Sequence, residues 1–405
     1  MEVVENRFKE TEIGMIPEDW EVVRLGEVAE ISSGGSAPQG NEYFEGNNPF
    51  IRVQHLDNDN YKIKGCDYIT DGAVKKYKLK LFPKDTIIFP KSGASIYLEK
   101  RAKLPFDAYI VSHLMAVRSK SRLLLQDYLF FNLVSKKLSK DKADNYPTLN
   151  ISEVSQIPIP LPPLEEQKAI ADILSTVQNA IEKTEKVINA TKQLKKSMMK
   201  HLFTYGAVAV DEIDKVKLKE TEIGLIPEDW EVVRLENVME GFTPNKKLKQ
   251  SDYKAIGNFP VIDQGQEYIA GFYDDETMVF DKDLPVILFG DHTRIIKYVD
   301  FPFICGADGL KIIIPKENFH RKYFYYALLN LNIPSRGYNR HFKILKEKLI
   351  PLPPLDEQQK IANILTTIDQ KIQAEEKKKQ ALQNLFKTLL QQLMTGKIRV
   401  KKAKT

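Results

Sequence analysis

The sequence predicts an α+β protein: two mixed α/β domains joined by two long helices forming an antiparallel coiled coil, with internal pseudo-two-fold symmetry. Two observations carry this prediction. A segment of fifteen residues near the amino terminus occurs again 210 positions later, and a proline-rich motif followed by a helical pattern occurs twice, 191 positions apart. Matches of this length indicate a tandem repeat of one domain, and the period is far too long for a solenoid.

A near-identical segment, the lead segment, opens each repeat. It reads TEIGMIPEDWEVVRL in Thr11–Leu25 and TEIGLIPEDWEVVRL in Thr221–Leu235. Trp20 and Trp230, the two tryptophans of the protein, stand at the same place in it. Because their setting is the same in both copies, we expect the tryptophans to pack the lead segments against the helices and not to distinguish two targets.

The proline-rich motif, PLPPLEEQK from Pro160 and PLPPLDEQQK from Pro351, precedes a long helical pattern in each copy. Proline is tolerated in a first helical turn, and the acidic residues that follow suit the positive end of a helix. Apolar residues then recur at spacings of three and four, which is typical of a heptad seam. The seam includes Ile170, Leu174, Val177 and Ile181 in copy one, and Ile361, Leu365, Ile368 and Ile372 in copy two.

The two helices are predicted to end at Gly206 and Gly396 and to be roughly 60 Å long. Helices of this length in one chain pack most simply on each other. The order of the chain favours antiparallel packing, which gives each domain its own end of the rod. The pair then acts as a spacer that fixes the distance between two binding heads, and the alternative is a stalk used only for dimerisation.

The segments between the lead and the proline motif have diverged, but they retain signs of a common fold. An apolar strand is predicted at Thr86–Phe89 in copy one and at Pro285–Phe289 in copy two, and the loops that follow differ completely. The aromatic runs Tyr128–Phe131 and Tyr323–Tyr326 are predicted to lie on equivalent helices and to belong to the core. One scaffold with different loops indicates recognition of two different targets.

These patterns divide the chain into seven segments. They are 1–25, the lead segment of copy one; 26–157, the first mixed domain; 158–206, long helix 1; 207–235, the linker and lead segment of copy two; 236–348, the second mixed domain; 349–396, long helix 2; and 397–405, a basic carboxy-terminal tail.

Composition excludes several classes of protein. In 405 residues, 42% are hydrophobic and 28% charged, which is typical of globular proteins. No apolar run approaches the ~20 residues of a membrane span, and the charged amino terminus does not resemble a secretory signal. The two cysteines, Cys66 and Cys305, are far apart in sequence and too few for a disulfide framework or a cysteine zinc site. We therefore expect a cytoplasmic protein with no membrane partner.

The net charge of +5 is mildly basic, but its distribution is uneven. Residues 75–103 carry nine Lys or Arg against two acidic residues, and residues 309–348 carry the same numbers. Two basic patches suit two contacts with a polyanion. Solvated faces of a lysine-rich protein are the alternative at this point.

Motifs of catalysis are missing from the sequence. It contains no phosphate-binding P-loop, no G-x-G-x-x-G, no H-E-x-x-H and no G-x-S-x-G. The signature of amino-methyltransferases, Asp or Asn followed by Pro-Pro and an aromatic residue, is also missing. The six histidines show no paired spacing that would indicate a metal site. These absences favour a binding protein over an enzyme.

The combination of motifs resembles a known family. TEIGMIPEDWEVVRL, PLPPLEEQKAIADIL, PLPPLDEQQKIANIL and the ending LLQQLMTGKIRV are similar to the DNA-specificity subunit of type I restriction–modification systems, over essentially the whole chain. One departure is visible, because copy one ends with MMKHLFTYGAVAV where copy two has LLQQLMTGKIRV.

The resemblance implies a non-catalytic subunit. The two divergent segments would be target-recognition domains, each reading one half of an asymmetric bipartite sequence in double-stranded DNA. The helices would set the spacing and, with the lead segments, dock two methyltransferase subunits, which would methylate adenine with S-adenosylmethionine. Motor–nuclease subunits using ATP and Mg would join for cleavage, and this chain itself would hold no cofactor and no metal.

Two loops in each copy are the candidate DNA-binding elements: the loop after the apolar strand and the loop before the proline motif. The spacing of 191 aligns Asn150 with His341, so the second loop is the same loop in both copies. Polar and basic side chains there can contact phosphates and base edges. The candidates in these loops are Lys91, Ser92, Ser95, Arg101, Lys103, Tyr146, Thr148 and Asn150 in copy one, and His292, Thr293, Arg294, Arg336, Tyr338, Asn339, Arg340, His341 and Lys343 in copy two. Gln264 and Gln266, in a predicted turn, are further candidates.

Three alternatives stay open from the sequence alone. The subunit could serve methylation only, without a nuclease. The chain could be a non-catalytic coiled-coil scaffold whose two heads bind protein or sugar instead of DNA. It could also be an enzyme with an unrecognised site, which a methyl-transfer assay on the purified chain would reveal.

Overall fold

The computed structural model describes residues 7–400 except 58–60, 140–146, 308, 336 and 338. The chain forms two compact units. Unit 1 consists of Met1–Lys186 together with Glu376–Thr405, and unit 2 is Val187–Glu375. Each unit therefore holds one lead segment, one mixed domain and a part of both long helices, and the division falls inside the helices instead of at the predicted segment boundaries.

The first copy has its elements in this order: β1 (Phe8–Thr11), β2 (Gly14–Pro17), β3 (Glu21–Arg24), α1 (Leu25–Val28), β4 (Ala29–Ser33), β5 (Phe44–Ile51), β6 (Asp67–Ile69), α2 (Asp71–Lys76), β7 (Leu81–Phe82), β8 (Ile87–Pro90), β9 (Ala102–Lys103), β10 (Ala108–Ile110), β11 (Leu114–Ser119), α3 (Gln126–Ser135), α4 (Ile151–Ser155), β12 (Pro158–Leu161) and α5 (Leu164–Tyr205).

The second copy continues with β13 (Leu218–Thr221), β14 (Gly224–Pro227), β15 (Glu231–Arg234), α6 (Leu235–Val238), β16 (Met239–Phe242), β17 (Phe259–Ile262), β18 (Gly271–Tyr273), β19 (Val279–Phe280), β20 (Val286–Gly290), β21 (Ile296–Val299), β22 (Phe303–Cys305), β23 (Leu310–Pro315), α7 (Arg321–Leu329), α8 (Phe342–Lys346), β24 (Leu349–Leu352) and α9 (Leu355–Met394).

The two mixed domains share one sheet topology. In unit 1 the four-stranded sheets have the orders β4-β11-β8-β9 and β6-β5-β10-β7, and in unit 2 the orders are β16-β23-β20-β21 and β18-β17-β22-β19. In both units one pair is parallel, β5 with β10 and β17 with β22. The prediction that the divergent segments keep a common fold is confirmed. The aromatic helices α3 and α7 pack in the core as predicted, with Tyr128 and Tyr323 fully buried.

The proline motif begins as a strand, and the helix follows it. β12 pairs with β3 of the lead segment, and β24 pairs with β15 in the same register. The long helices therefore begin at Leu164 and Leu355, later than the predicted segments that start at 158 and 349. The reason is that a residue before proline is driven toward extended backbone, so a Pro-Leu-Pro-Pro run does not form a helix.

Within each unit the two long helices run antiparallel, as predicted. In unit 1, Lys379 Nζ lies 3.3 Å from Glu185 Oε1, while Arg399, beyond the end of α9, contacts Glu166 at the start of α5. In unit 2, Lys195 Nζ lies 2.6 Å from Asp369 Oδ1. The helices end as predicted at Gly206 and Gly396, whose φ angles of +83° and +66° lie in the left-handed region that glycine adopts without strain.

Both tryptophans are buried between lead segment and helix, which confirms the prediction for them. Trp20 Nε1 donates a hydrogen bond of 3.0 Å to Glu166 Oε2 on α5. Trp230 packs in the core of unit 2 with Leu202 and Phe203 at the end of α5 and with Ile361 of α9. The near-identity of the lead segments is thus explained by packing against the helices.

Candidate nucleic-acid interface

In unit 1 the structure brings the two predicted loops together. The backbone N–H of Leu149 donates to the carbonyl of Lys91 at 2.7 Å, and the N–H of Gly93 donates to Pro147 at 2.9 Å. Ser92 and Thr148 form an isolated antiparallel bridge between these bonds. The loop after β8 and the loop before α4 therefore form one small surface, the copy-one loop cluster (residues 91–95 and 147–150).

Short hydrogen bonds fix the side chains of this cluster. Ser92 Oγ lies 2.5 Å from His113 Nδ1, and Ser95 Oγ donates to the Ser92 carbonyl at 3.1 Å. Asn150 caps α4, because its Oδ1 accepts the N–H of Glu153 at 2.8 Å. Thr148 and Asn150 are exposed and Lys91 is half-buried, so these side chains face solvent from a fixed backbone.

In unit 2 the equivalent loops are joined by Asp291, which the sequence reasoning missed. Its Oδ1 accepts the N–H of His341 at 2.8 Å and that of Phe342 at 2.7 Å, at the start of α8. Asp291 is only 3% exposed, so its carboxylate is committed to these bonds. Its position, an acidic residue directly after a buried strand, could have indicated this role. The loop of copy one has no acidic residue there, so comparison of the two copies did not point to it.

A third segment joins this surface in unit 2. Thr293 Oγ1 donates to the Gln264 carbonyl at 2.7 Å, and the N–H of His292 donates to Gln264 Oε1 at 3.2 Å. Arg294 has a left-handed φ of +63°, and its Nη1 donates to the Ile333 carbonyl at 2.8 Å. Residues 264–266, 290–294, 339–341 and 343 form the copy-two loop cluster.

Lys297 holds the segment that carries the two glutamines and was also missed. It lies on β21, is only 5% exposed, and its Nζ donates to the carbonyls of Asp263 at 2.8 Å and Glu267 at 2.5 Å. Burial lowers the pKa of this ammonium group, although the carboxylates of Asp263 and Glu267 oppose the shift. No feature of the sequence distinguished this lysine from the exposed ones.

The two loop clusters occupy equivalent places on their scaffolds. The N–H of Lys91 donates to His113, just before β11, and the N–H of Asp291 donates to Gly309, just before β23. Asn150 and His341 are the N-cap residues of α4 and α8, so the alignment at a spacing of 191 is confirmed. Gln266, Thr293, Asn339, Arg340 and Lys343 are exposed in the copy-two loop cluster.

Arg101 and Lys103 do not lie in the copy-one loop cluster. The Arg101 side chain is only 3% exposed, is paired with Glu99 at 2.5 Å and lies over the ring of Phe89, so the prediction for it is wrong. Burial lowers the pKa of its guanidinium, against the opposing effect of Glu99. Lys103 pairs in β9 with Ile87, at the end of β8 away from the loop, and its Nζ lies 2.5 Å from Asp127.

His341, another predicted DNA contact, does not lie at the surface. It is fully buried, and its Nδ1 lies 2.9 Å from the Asp291 carbonyl, so it joins the two loops instead of presenting a side chain. The predicted residues Tyr146, Arg336 and Tyr338 lie outside the described residues.

The described residues contain no group of three or more His, Cys, Asp or Glu side chains arranged to hold a metal ion. None of their helices is long and apolar enough to cross a membrane. Cys66 and Cys305 are both free thiols.

Comparison with known proteins gives consistent matches. The family model described as type I restriction modification DNA specificity domain matches residues 17–193 and 227–384. The MjaX specificity subunit of Methanocaldococcus jannaschii is 31% identical over 98% of both chains, and the MjaVIII specificity subunit of that organism is 30% identical over 98% of this chain and 97% of its own. The fold matches the type I S subunit of M. genitalium with a TM-score of 0.66 at 18% identity, over 96% of this chain and 99% of that one.

Proposed function

The chain belongs to the family of type I restriction–modification DNA specificity subunits, and from that premise we propose that its two loop clusters read the two halves of a bipartite, asymmetric sequence in double-stranded DNA. Each mixed domain then serves as a target-recognition domain. The chain supplies the sequence specificity, and it catalyses no reaction itself.

One observation carries this proposal: the same scaffold presents two different sets of side chains at the same place. The copy-one loop cluster exposes Thr148 and Asn150, and the copy-two loop cluster exposes Gln266, Arg340 and Lys343. Amide and guanidinium groups can form paired hydrogen bonds with base edges, while lysine and arginine also neutralise phosphates. Since the two sets differ, the two half-sites differ.

The partners follow from the repeated parts of the chain. The lead segments and the starts of the long helices are closely similar in both copies, which suits one type of partner bound twice. We assign this surface to two methyltransferase subunits, with S-adenosylmethionine bound by them. Motor–nuclease subunits that use ATP and Mg complete the complex for cleavage.

The proposal is tested by co-expressing the chain with its methyltransferase and mapping N6-methyladenine across the host genome. We expect a split motif with two different halves and a fixed gap. Exchanging residues 26–157 for those of a related subunit should change one half only. Unaltered methylation, with the methyltransferase shown to be folded, would favour the scaffold alternative.

Binding to DNA can be measured separately. Substituting the exposed Arg340 and Lys343 by alanine should weaken binding and reduce the salt slope by about one for each phosphate that is no longer neutralised. Lys103→Ala is the matched control, because Lys103 lies away from the copy-one loop cluster. A salt slope that is the same in all variants would contradict the assignment of the copy-two loop cluster.

A further inference from the structure

The carboxy-terminal tail docks on the lead segment of unit 1 through one arginine. Arg399 donates from Nε and Nη2 to the two oxygens of Glu166, both at 2.8 Å, and from Nη1 and Nη2 to Asp19 at 2.9 and 2.7 Å. Its guanidinium carbon lies 5.8 Å from the centre of the Trp20 ring. Two carboxylates and an aromatic ring thus form a guanidinium site that is filled by the chain itself.

The repeat retains this site in unit 2 but not the arginine. Asp229, Trp230 and Glu357 stand at the positions of Asp19, Trp20 and Glu166. The tail sequence TGKIRV corresponds to YGAVAV at the end of the first helix, so Ala209 takes the place of Arg399.

The register of this alignment is visible in the packing of the two glycines. A Cβ on Gly396 would lie 3.3 Å from the Trp20 ring, and a Cβ on Gly206 would lie 3.4 Å from the Trp230 ring. Both glycines therefore lie against the tryptophan of their lead segment, and matching them, at a spacing of 190 where the helices align at 191, places Ala209 at the position of Arg399.

The second site stays open to solvent. Asp229 and Ala209 are exposed and Glu357 is half-buried, with Oε1 accepting the N–H of Ala207 at 2.6 Å. In the described part of the chain neither Asp229 nor Glu357 forms an ion pair, whereas both of their counterparts in unit 1 bind Arg399.

We propose that Asp229, Trp230 and Glu357 form a binding site for an arginine side chain of another polypeptide, which enters from solvent past the exposed Ala209. Arginine fits better than lysine because its planar fork can bond two carboxylates at once and stack on an aromatic ring. The partner is a different protein, because the chain's own Lys397–Val400 is engaged in unit 1.

The test is calorimetric titration of the full-length protein with the short peptide acetyl-Gly-Arg-Gly-amide, which presents one arginine side chain. We expect one binding site in the wild type and none in Ala209→Arg, in which the chain fills its own site. Arg399→Ala should expose the equivalent site of unit 1, so that this variant binds peptide at two sites. Replacing the arginine of the peptide by citrulline, which has the same shape without the charge, should weaken binding at least about tenfold.

Glu357→Gln provides a second variant that removes charge without adding bulk, and it should weaken peptide binding by a similar factor. The inference is overturned if the wild type binds no peptide while Arg399→Ala binds one, or if citrulline binds as well as arginine. Light scattering decides the source of the arginine: a wild-type dimer that Arg399→Ala dissociates would show that a second copy fills the site, against the proposal.

Discussion

Each mixed domain rests on the two long helices through a set of three residues, and the chemistry of that set differs between the units. In unit 1, the rings of Phe131 and Phe386 lie 6.1 Å apart. In unit 2, Tyr326 Oη donates to Asp369 at 2.9 Å, and Lys195 pairs with Asp369 at 2.6 Å. Lys195 and Phe386 correspond at the spacing of 191, as do Gln178 and Asp369. Phe131 and Tyr326 are the last residues of the matching aromatic runs.

Three positions far apart in sequence thus meet in each unit and differ together between the two units. An apolar pair in unit 1 corresponds to a polar network in unit 2, where the Lys195 ammonium also lies 5.4 Å from the Tyr326 ring centre. Burial, with Asp369 adding to it, raises the pKa of the Tyr326 phenol above its ordinary value, so this hydroxyl stays a donor. The mixed domain of each unit therefore meets helix residues of matching polarity.

The two tryptophans allow each unit to be measured separately, because Trp20 lies in unit 1 and Trp230 in unit 2. In a Trp230→Phe background, urea unfolding followed by fluorescence reports unit 1. In a Trp20→Phe background it reports unit 2.

The largest effect is expected from placing the unit 2 lysine in unit 1. Phe386→Lys should lower the free energy of unfolding of unit 1 by about 3 kcal/mol or more, because an ammonium group is buried without a carboxylate and an aromatic ring is removed. Adding Gln178→Asp and Phe131→Tyr should restore a large part of that stability. A triple variant no more stable than the single one would show that the three positions are independent.

A smaller loss of stability is expected when the hydrogen bonds that fix each loop cluster are removed, and its size should differ between the two clusters. Asp291→Ala leaves two N–H groups at the start of α8 without their acceptor and should destabilise unit 2 by about 2 kcal/mol. Asn150→Ala removes one capping acceptor in unit 1 and should lower the free energy of unfolding of that unit by about 1 kcal/mol. Asp291→Asn, which keeps one acceptor oxygen, is the control. Equal destabilisation by the two alanine variants would contradict the structural role given to Asp291.

The smallest effect depends on pH and distinguishes the caps of the aromatic helices. His320 caps α7 in unit 2, where the corresponding residue of unit 1 is Leu125 at the start of α3. Burial lowers the pKa of His320 from its ordinary 6.5, so below that pH the unfolded chain binds the proton first. The stability contributed by neutral His320 is complete above pH 6.5 and is lost as the pH falls through the lowered pKa.

The measurement is urea unfolding of unit 2 as the pH is lowered from 7.5. His320→Leu, which introduces the residue of unit 1, should flatten the dependence, and His201→Leu is a comparison variant in the same unit. A dependence that His320→Leu leaves intact would assign the titration to another group.

The repeat, the long helices and the shared fold of the divergent segments could be predicted because each leaves a pattern in the sequence. Thr11–Leu25 returns almost unchanged, and the heptad spacing after Pro163 has few other interpretations. The loops that meet at Lys91 and Thr148 were also predicted, since both interrupt a regular pattern next to strands that the two copies share.

Other features depend on contacts that sequence spacing does not show. The basic residues around Arg101 predict a surface cation, but Glu99 and the ring of Phe89 make its burial favourable. Asp291 and Lys297 were missed because their role is to bond backbone groups more than 25 positions away. Sequence alone does not distinguish a charged side chain on a binding surface from one that holds a loop in place.

Unit 1 is assembled from two distant stretches of chain, whereas unit 2 is continuous. A ribosome adds roughly 5–20 residues per second, so the amino-terminal part of unit 1 exists for about ten seconds or more before Glu376–Thr405 is made. During that time the faces of Ile170 and Leu174 lack Leu393 and Met394, with which they pack in one core. The unit whose chain is made first is thus completed last, and nascent protein stalled before residue 376 would bind chaperones through unit 1.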